Sequence, residues 1–266
     1  MTCRIRQCVV LSIALTAVGA RAQTGSTSNP AAASMPQWEV LRSLRDFGGL
    51  NAYAKENAAL PAAPAKRVIF LGDSITEFWG KKSPFFPGEP YLNRGIAGQT
   101  TAQMLIRFRQ DVIDLKPAAV IIQGGLADIA GLTGPSSLVE IENNLRSMAE
   151  LASFNHISVI LVGEPPPADY PGRTGPEPVT QIVALNTWVA RYCASSHFTF
   201  LDYYSALVGS HGQMKEGVSD DGVHPNEKGY AILKPLAEKA IADALKQRVR
   251  RASTSIASSF IKDCQP

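Results

Sequence analysis

The sequence predicts an α/β protein, a three-layer α/β/α sandwich built on a five-stranded parallel sheet. Three observations lead there. Apolar runs recur at 67–71, 91–96, 118–123, 157–162 and 198–203. Two of them, AAVIIQ and ISVILV, are continuous rather than alternating, as strands covered on both faces require. Segments of helical spacing fill the intervals, and strand–helix alternation is the pattern of a parallel sheet with helices on both faces.

Taken in order, the first run, RVIFL, passes straight into Gly72-Asp73-Ser74, where Ser74 suits a helix start. The second, YLNRGI, leads to a loop holding Gly98. Thr100 with Gln103 then forms a capping-box pattern ahead of Met104, Leu105, Phe108, Val112 and Leu115. AAVIIQ ends at Gly124-Gly125. Ser137 with Glu140 is a second capping box, followed by Leu138, Ile141, Leu145, Met148 and Leu151 at helical spacing. ISVILV ends at Gly163-Glu164, and a helix is expected over 179–195. After FTFLDY comes a last helix over 226–245, with a bend expected at Pro235. In parallel sheets the ligand site lies beyond the carboxyl ends of the strands, so these glycine-containing loops should gather at one edge.

The termini read differently. Arg4 and Arg6, the apolar run VVLSIALTAVGA and the Ala20-Arg21-Ala22 site form a secretory signal-peptide pattern. The run is short for a bilayer span, so no stable membrane anchor is expected. No Cys stands at the cleavage point, so neither is a lipid anchor. The expected organisation is a signal peptide at 1–22, a disordered small-residue lead-in at 23–36, one domain at 37–247, and a polar, basic tail at 248–266. A mature chain starting near Gln23 would be secreted or periplasmic. The leader carries three of the 26 basic residues and none of the 23 acidic ones, so the mature chain is formally neutral. That gives no case for a nucleic-acid partner. Of four cysteines, Cys193 and Cys264 outlast the leader, and their pairing stays open. No C-x-x-C and no H-E-x-x-H is present, so no metal site and no cofactor are expected.

A serine nucleophile needs a base, a group that orients the base, and donors for the oxyanion. The chain has four histidines: His156, His197, His211 and His224. The first two stand at strand starts, where a structural role suffices, and His211 lies in a Gly-rich turn. His224 lies in SDDGVHPNEKGY, three residues after Asp221 and just before Pro225, which suits a first helical turn. Such a loop can present an imidazole held by a carboxylate, or be a plain surface Asx turn. The motif alone leaves both open.

LGDSIT, NRGIAGQTT and DGVHP, in this order, resemble the conserved blocks of the SGNH hydrolase superfamily, the GDSL esterases and lipases, and most closely its acetylhydrolase-like and lysophospholipase-like branches. The resemblance runs from about Trp38 to Leu245. It implies a flavodoxin-like α/β/α fold and a serine carboxylic-ester hydrolase. By resemblance, Ser74 is the nucleophile, His224 the base and Asp221 the orienting acid, and Ser74 and Gly98 lend backbone N–H groups to the oxyanion. The third block departs. It reads GGLADIAG, so Ala127 stands where the family's amide-donating Asn is usual, while Asp128 matches. Losing one oxyanion donor costs about 10²–10³ in rate, so a slow enzyme is expected rather than an inert one.

The expected substrate is a small acyl ester of short, acetyl-like chain, with acetylated carbohydrate or a lysophospholipid as the partner class. The alternative is a catalytically silent relative that binds a glycan or lipid in the same cleft. Asp73, and Tyr170 and Arg173 of the proline-rich stretch 163–178, are expected to touch substrate.

Overall fold

The computed structural model describes residues 44–166 and 177–263, with the backbone alone at 177 and 249–263. The leader, the lead-in, Tyr170, Arg173 and Cys264 therefore lie outside the described residues. Of the two compact units into which the chain divides, 1–41 and 42–266, only the second contains described residues.

Its five strands are β1 (Val68–Gly72), β2 (Tyr91–Gly95), β3 (Ala119–Ile122), β4 (Ser158–Gly163) and β5 (Thr199–Asp202). All pair in parallel, in the order β2-β1-β3-β4-β5. The described helices are α1 (Ala54–Ala58), α2 (Ser74–Glu77), α3 (Trp79–Lys82), α4 (Thr101–Phe108), α5 (Leu126–Ile129), α6 (Leu138–Phe154), α7 (Glu177–Ser196), α8 (Tyr203–Leu207) and α9 (Glu227–Asp263), with a π turn at Arg109–Ile113 directly after α4. The expected α/β/α sandwich is the observed fold.

The continuous apolar runs are explained by two core layers. Ile69, Leu71, Val120, Ile122, Val159 and Leu161 face Met104, Phe108, Leu145 and Leu185 on one side of the sheet. Their alternate neighbours Val68, Phe70, Ala119, Ile121, Ile160 and Val162 face Trp79, Tyr230, Leu233 and Ile241 on the other. Each strand residue has a covered face to enter, so no polar position is needed.

Both capping boxes form. The last helix departs from expectation: it runs to Asp263 instead of stopping near 245, with Pro235 inside it. Residues 246–263 hold neither Gly nor Pro, so the sequence contains no helix stop there. His156 and His197 take left-handed φ values of 59° and 55° in the turns leading into β4 and β5. Cys193 is a buried free thiol.

The strand order places the site. From β1 the chain steps to β2 at one side, then crosses to β3 at the other. That reversal opens a crevice at the carboxyl ends of β1 and β3.

Candidate active site

Gly72 ends β1 opposite Gly95 of β2, which brings the loops after both strands side by side. A Cβ on Gly72 would lie 2.1 Å from Thr76 Oγ1 and 2.6 Å from Gln123 Oε1, so only glycine lets the first turn of α2 fold back this closely. Asp73, not Ser74, is the helix cap: its carboxylate accepts from Ile75 N–H at 2.9 Å. Ser74 is thereby the first helical residue, with its hydroxyl free to face the crevice. Asp73 itself is 2% exposed and lines the floor of the cleft beside Ser74. The carboxyl is spent on the cap.

The loop before α9 carries the partner groups. Asp221 Oδ1 accepts from the N–H groups of Val223 and His224, at 3.0 and 2.7 Å, so the Asx turn read as the bland alternative is present. The same carboxylate's Oδ2 lies 2.7 Å from His224 Nδ1, and His224 Nε2 lies 2.8 Å from Ser74 Oγ. Turn and relay are one structure. Burial would raise the Asp221 carboxyl, but the His224 N–H, the His224 ring and the Val223 N–H outweigh it and hold it well below the usual carboxylate range. Ser219 Oγ, bonded to His224 O at 2.8 Å, closes the loop.

Phe78 was not legible as a site residue, although it stands four positions after Ser74 on the same helical face. Its ring packs on His224 with centroids 4.9 Å apart. Leu132, 60% exposed, is a second such residue and forms the rim beside Gly98.

Gly98 has φ +75°, a conformation natural to glycine, and among the described residues its N–H has no partner within the protein. Ala127, on α5, is buried and lines the cleft with Ser74 and Gly98. Its neighbour Asp128 instead faces α4, accepting from Thr101 N–H at 2.8 Å and Thr101 Oγ1 at 2.7 Å. Asp128 thus ties the third block to the second, and the position that should carry an amide carries a methyl group. Gln123 does not replace it. Its Oε1 accepts from Asp73 N–H and Thr76 Oγ1, and its Nε2 lies 2.8 Å from a Glu164 carboxylate oxygen.

The resulting cleft holds about 370 Å³ and is walled mainly by Phe78, Ala97, Leu126, Ala130, Leu132 and Val223. A second groove of about 460 Å³ lies at the opposite edge of the sheet, beside His156, His197 and Arg248, and no carboxylate lines it. No group of residues able to hold a metal ion occurs among the described residues.

A hydroxyl, an imidazole and a carboxylate chained in that order, at the carboxyl edge of a parallel sheet, belong to the class of serine hydrolases. Residues 70–232 match the model of the GDSL-like lipase/acylhydrolase family, and the chain belongs to that family. It is similar to a GDSL-like lipase of Bacteroides thetaiotaomicron of known structure, with 41% identity over 74% of this chain and 99% of that one, and a TM-score of 0.71. An acylhydrolase-type protein of Bacteroides fragilis is 40% identical over 75% of this chain and 98% of that one, with a TM-score of 0.70. Esterase TesA of Pseudomonas aeruginosa is 28% identical over 195 residues, 65% of this chain and 90% of that protein.

Proposed function

We propose that the protein is an exported esterase for short-chain acyl esters, acting through Ser74, His224 and Asp221. The observation that carries this reading is the unbroken relay, 2.8 Å from Ser74 Oγ to His224 Nε2 and 2.7 Å from His224 Nδ1 to Asp221 Oδ2. Ser74 Oγ attacks the acyl carbonyl as its proton passes to His224 Nε2. Asp221 holds the other ring nitrogen and steadies the imidazolium. The oxyanion is met by the N–H groups of Ser74 and Gly98, without the amide that position 127 lacks. His224 then gives its proton to the departing alcohol, and water repeats the cycle on the acyl-enzyme.

The cleft volume lies near the bottom of the ~300–1,000 Å³ range of small-molecule sites and has to hold the alcohol as well as the acyl group. This favours acetyl to butyryl chains, on acetylated carbohydrate or a lysophospholipid-like ester. The silent-binder alternative rests on Ala127 alone and is outweighed by the complete relay. Export rests on the signal-peptide pattern of residues 1–22.

One experiment tests the core of this reading. A p-nitrophenyl ester series from acetyl to decanoyl is run on the wild type and Ser74→Ala, with fluorophosphonate labelling and peptide mapping alongside. A single label on Ser74, turnover lost in Ser74→Ala and kcat/KM highest at short chains are expected. Unchanged labelling in Ser74→Ala, or a steady rise in kcat/KM to decanoyl, overturns it.

A further inference from the structure

We infer that Arg107 is a positioning residue that sets the spacing of the two backbone oxyanion donors. The inference rests on the proposed roles of Ser74 and Gly98. Arg107 is completely buried on α4, with each of its three nitrogens engaged. Nη2 donates to Gly72 O at 3.2 Å, two residues before Ser74. Nε donates to Gln99 Oε1 at 2.6 Å, one residue after Gly98. Nη1 pairs with Asp111 Oδ2 at 3.1 Å, within the π turn. One planar guanidinium therefore spans the loop carrying one donor and the loop carrying the other.

The fork is itself held on every side. Asp111 Oδ1 accepts from Asn57 Nδ2 at 2.7 Å, and Asn57 Oδ1 accepts from Arg94 Nε at 2.9 Å. Gln99 Nε2 donates to Gly48 O at 2.9 Å, which stops the amide from turning its oxygen away from Arg107. Because guanidinium nitrogens sit in a fixed plane, this grip fixes a distance, which a flexible ammonium cannot do.

The grip matters more in this chain than where an Asn completes the hole. With Ala127 in place, the oxyanion meets only two donors, one on each loop. A side-chain amide could follow a small loop shift, but two backbone N–H groups cannot. Their separation is the hole, and misplacement of reacting groups by about 1 Å costs on the order of 10²-fold in rate.

The test uses the full chain with Gln99→Met, Arg107→Lys, the double variant, and Ser74→Ala as control. Gln99→Met keeps the side-chain length and the Arg107–Asp111 pair, and removes the acceptor on the Gly98 loop together with the bond to Gly48 O. It covers the case in which Arg107→Lys does not fold. Kinetics are scaled to the folded fraction. Each single variant is expected to lower kcat by about ten- to a hundredfold with KM within about twofold, and the double variant to be no worse than Arg107→Lys. An alkyl boronic acid that forms a tetrahedral adduct should weaken by the same factor as kcat/KM, while a ground-state amide analogue binds unchanged. A purely structural Arg107 would shift the unfolding midpoint and leave these ratios alone. Unaltered kcat and boronate affinity in folded Gln99→Met overturns the inference, as does multiplicative loss in the double variant. If Ser74→Ala is dead while Gln99→Met is normal, only this inference fails. If Ser74→Ala remains active, the reading of the site falls and this one with it.

Discussion

Replacing Ala127 by Asn should raise kcat and leave KM nearly unchanged. A missing oxyanion donor costs about 10²–10³ in rate, or roughly 3–4 kcal/mol. The substitution should recover only part of that. Ala127 is 4% exposed, yet it lines the open cleft with Ser74 and Gly98, so a longer side chain has room on the cleft side. Nothing is arranged to hold the new amide, because the neighbouring Asp128 carboxylate is already committed to Thr101. A gain of about ten- to a hundredfold, or roughly 1.4–2.7 kcal/mol, is expected. It should fall on kcat because the amide meets charge that develops only in the transition state. Widening the position with Leu126→Thr would be counterproductive. Leu126 is 3% exposed in the core, and shrinking a buried Leu costs about 2–5 kcal/mol of stability. The assay is p-nitrophenyl acetate turnover on samples whose unfolding midpoints match the wild type. A folded Ala127→Asn with unchanged kcat, beside a fast wild type, would refute the reasoning, since another donor would then complete the hole.

His224→Ala should lower kcat by about 10⁶-fold and Asp221→Ala by about 10⁴-fold; equal losses in steady-state assays would contradict the division of roles. Burial, reinforced by neighbouring carboxylate charge, pushes the Asp73 and Glu164 carboxyls up, Asp73 to about 7. The fold thus keeps protons that the unfolded chain releases above about pH 4. Unfolding free energy should therefore fall as pH rises from about 4 to about 7; urea midpoints rising across that window, or an unaltered slope in Glu164→Gln, would count against it. Export predicts a mature start near Gln23 by N-terminal sequencing from a secreting host, and a chain still beginning at Met1 would reject it.

Much of the fold was legible because each cue was local. AAVIIQ and ISVILV advertise two covered faces in their composition, and the two members of each capping box stand three residues apart. The relay was legible in parts: Asp221 and His224 stand three apart in one loop, and Ser74 follows the first strand. What joined them, across 150 residues of sequence, was a resemblance rather than spacing. The bond from His224 Nε2 to Ser74 Oγ depends on the reversal of strand order at β1, and a single run of apolar residues cannot signal that reversal.

The polar interior was hidden for a different reason. Arg107, Asp111, Gln123 and Glu164 are almost wholly buried, yet each is a residue type that normally marks solvent. Sequence reasoning sends such residues outward, because the cost of burying them is visible in the sequence and their partners are not. One cue was present: Arg107 follows Met104 by three and precedes Asp111 by four, so Arg107 lies on the buried stripe of α4 and Asp111 carries that stripe into the π turn. A charged pair on an apolar stripe has to be satisfied within the protein. Here Arg107 is satisfied by Gly72 O at the end of β1 and by Gln99 beside Gly98, which flank the proposed oxyanion site, and Gln123 by the turn that presents Ser74. The groups hardest to read are therefore those that hold the legible ones in place. In the proposed mechanism the departure at Ala127 makes that support weigh more, because a hole of two backbone donors has no side chain to absorb an error in where its loops are set.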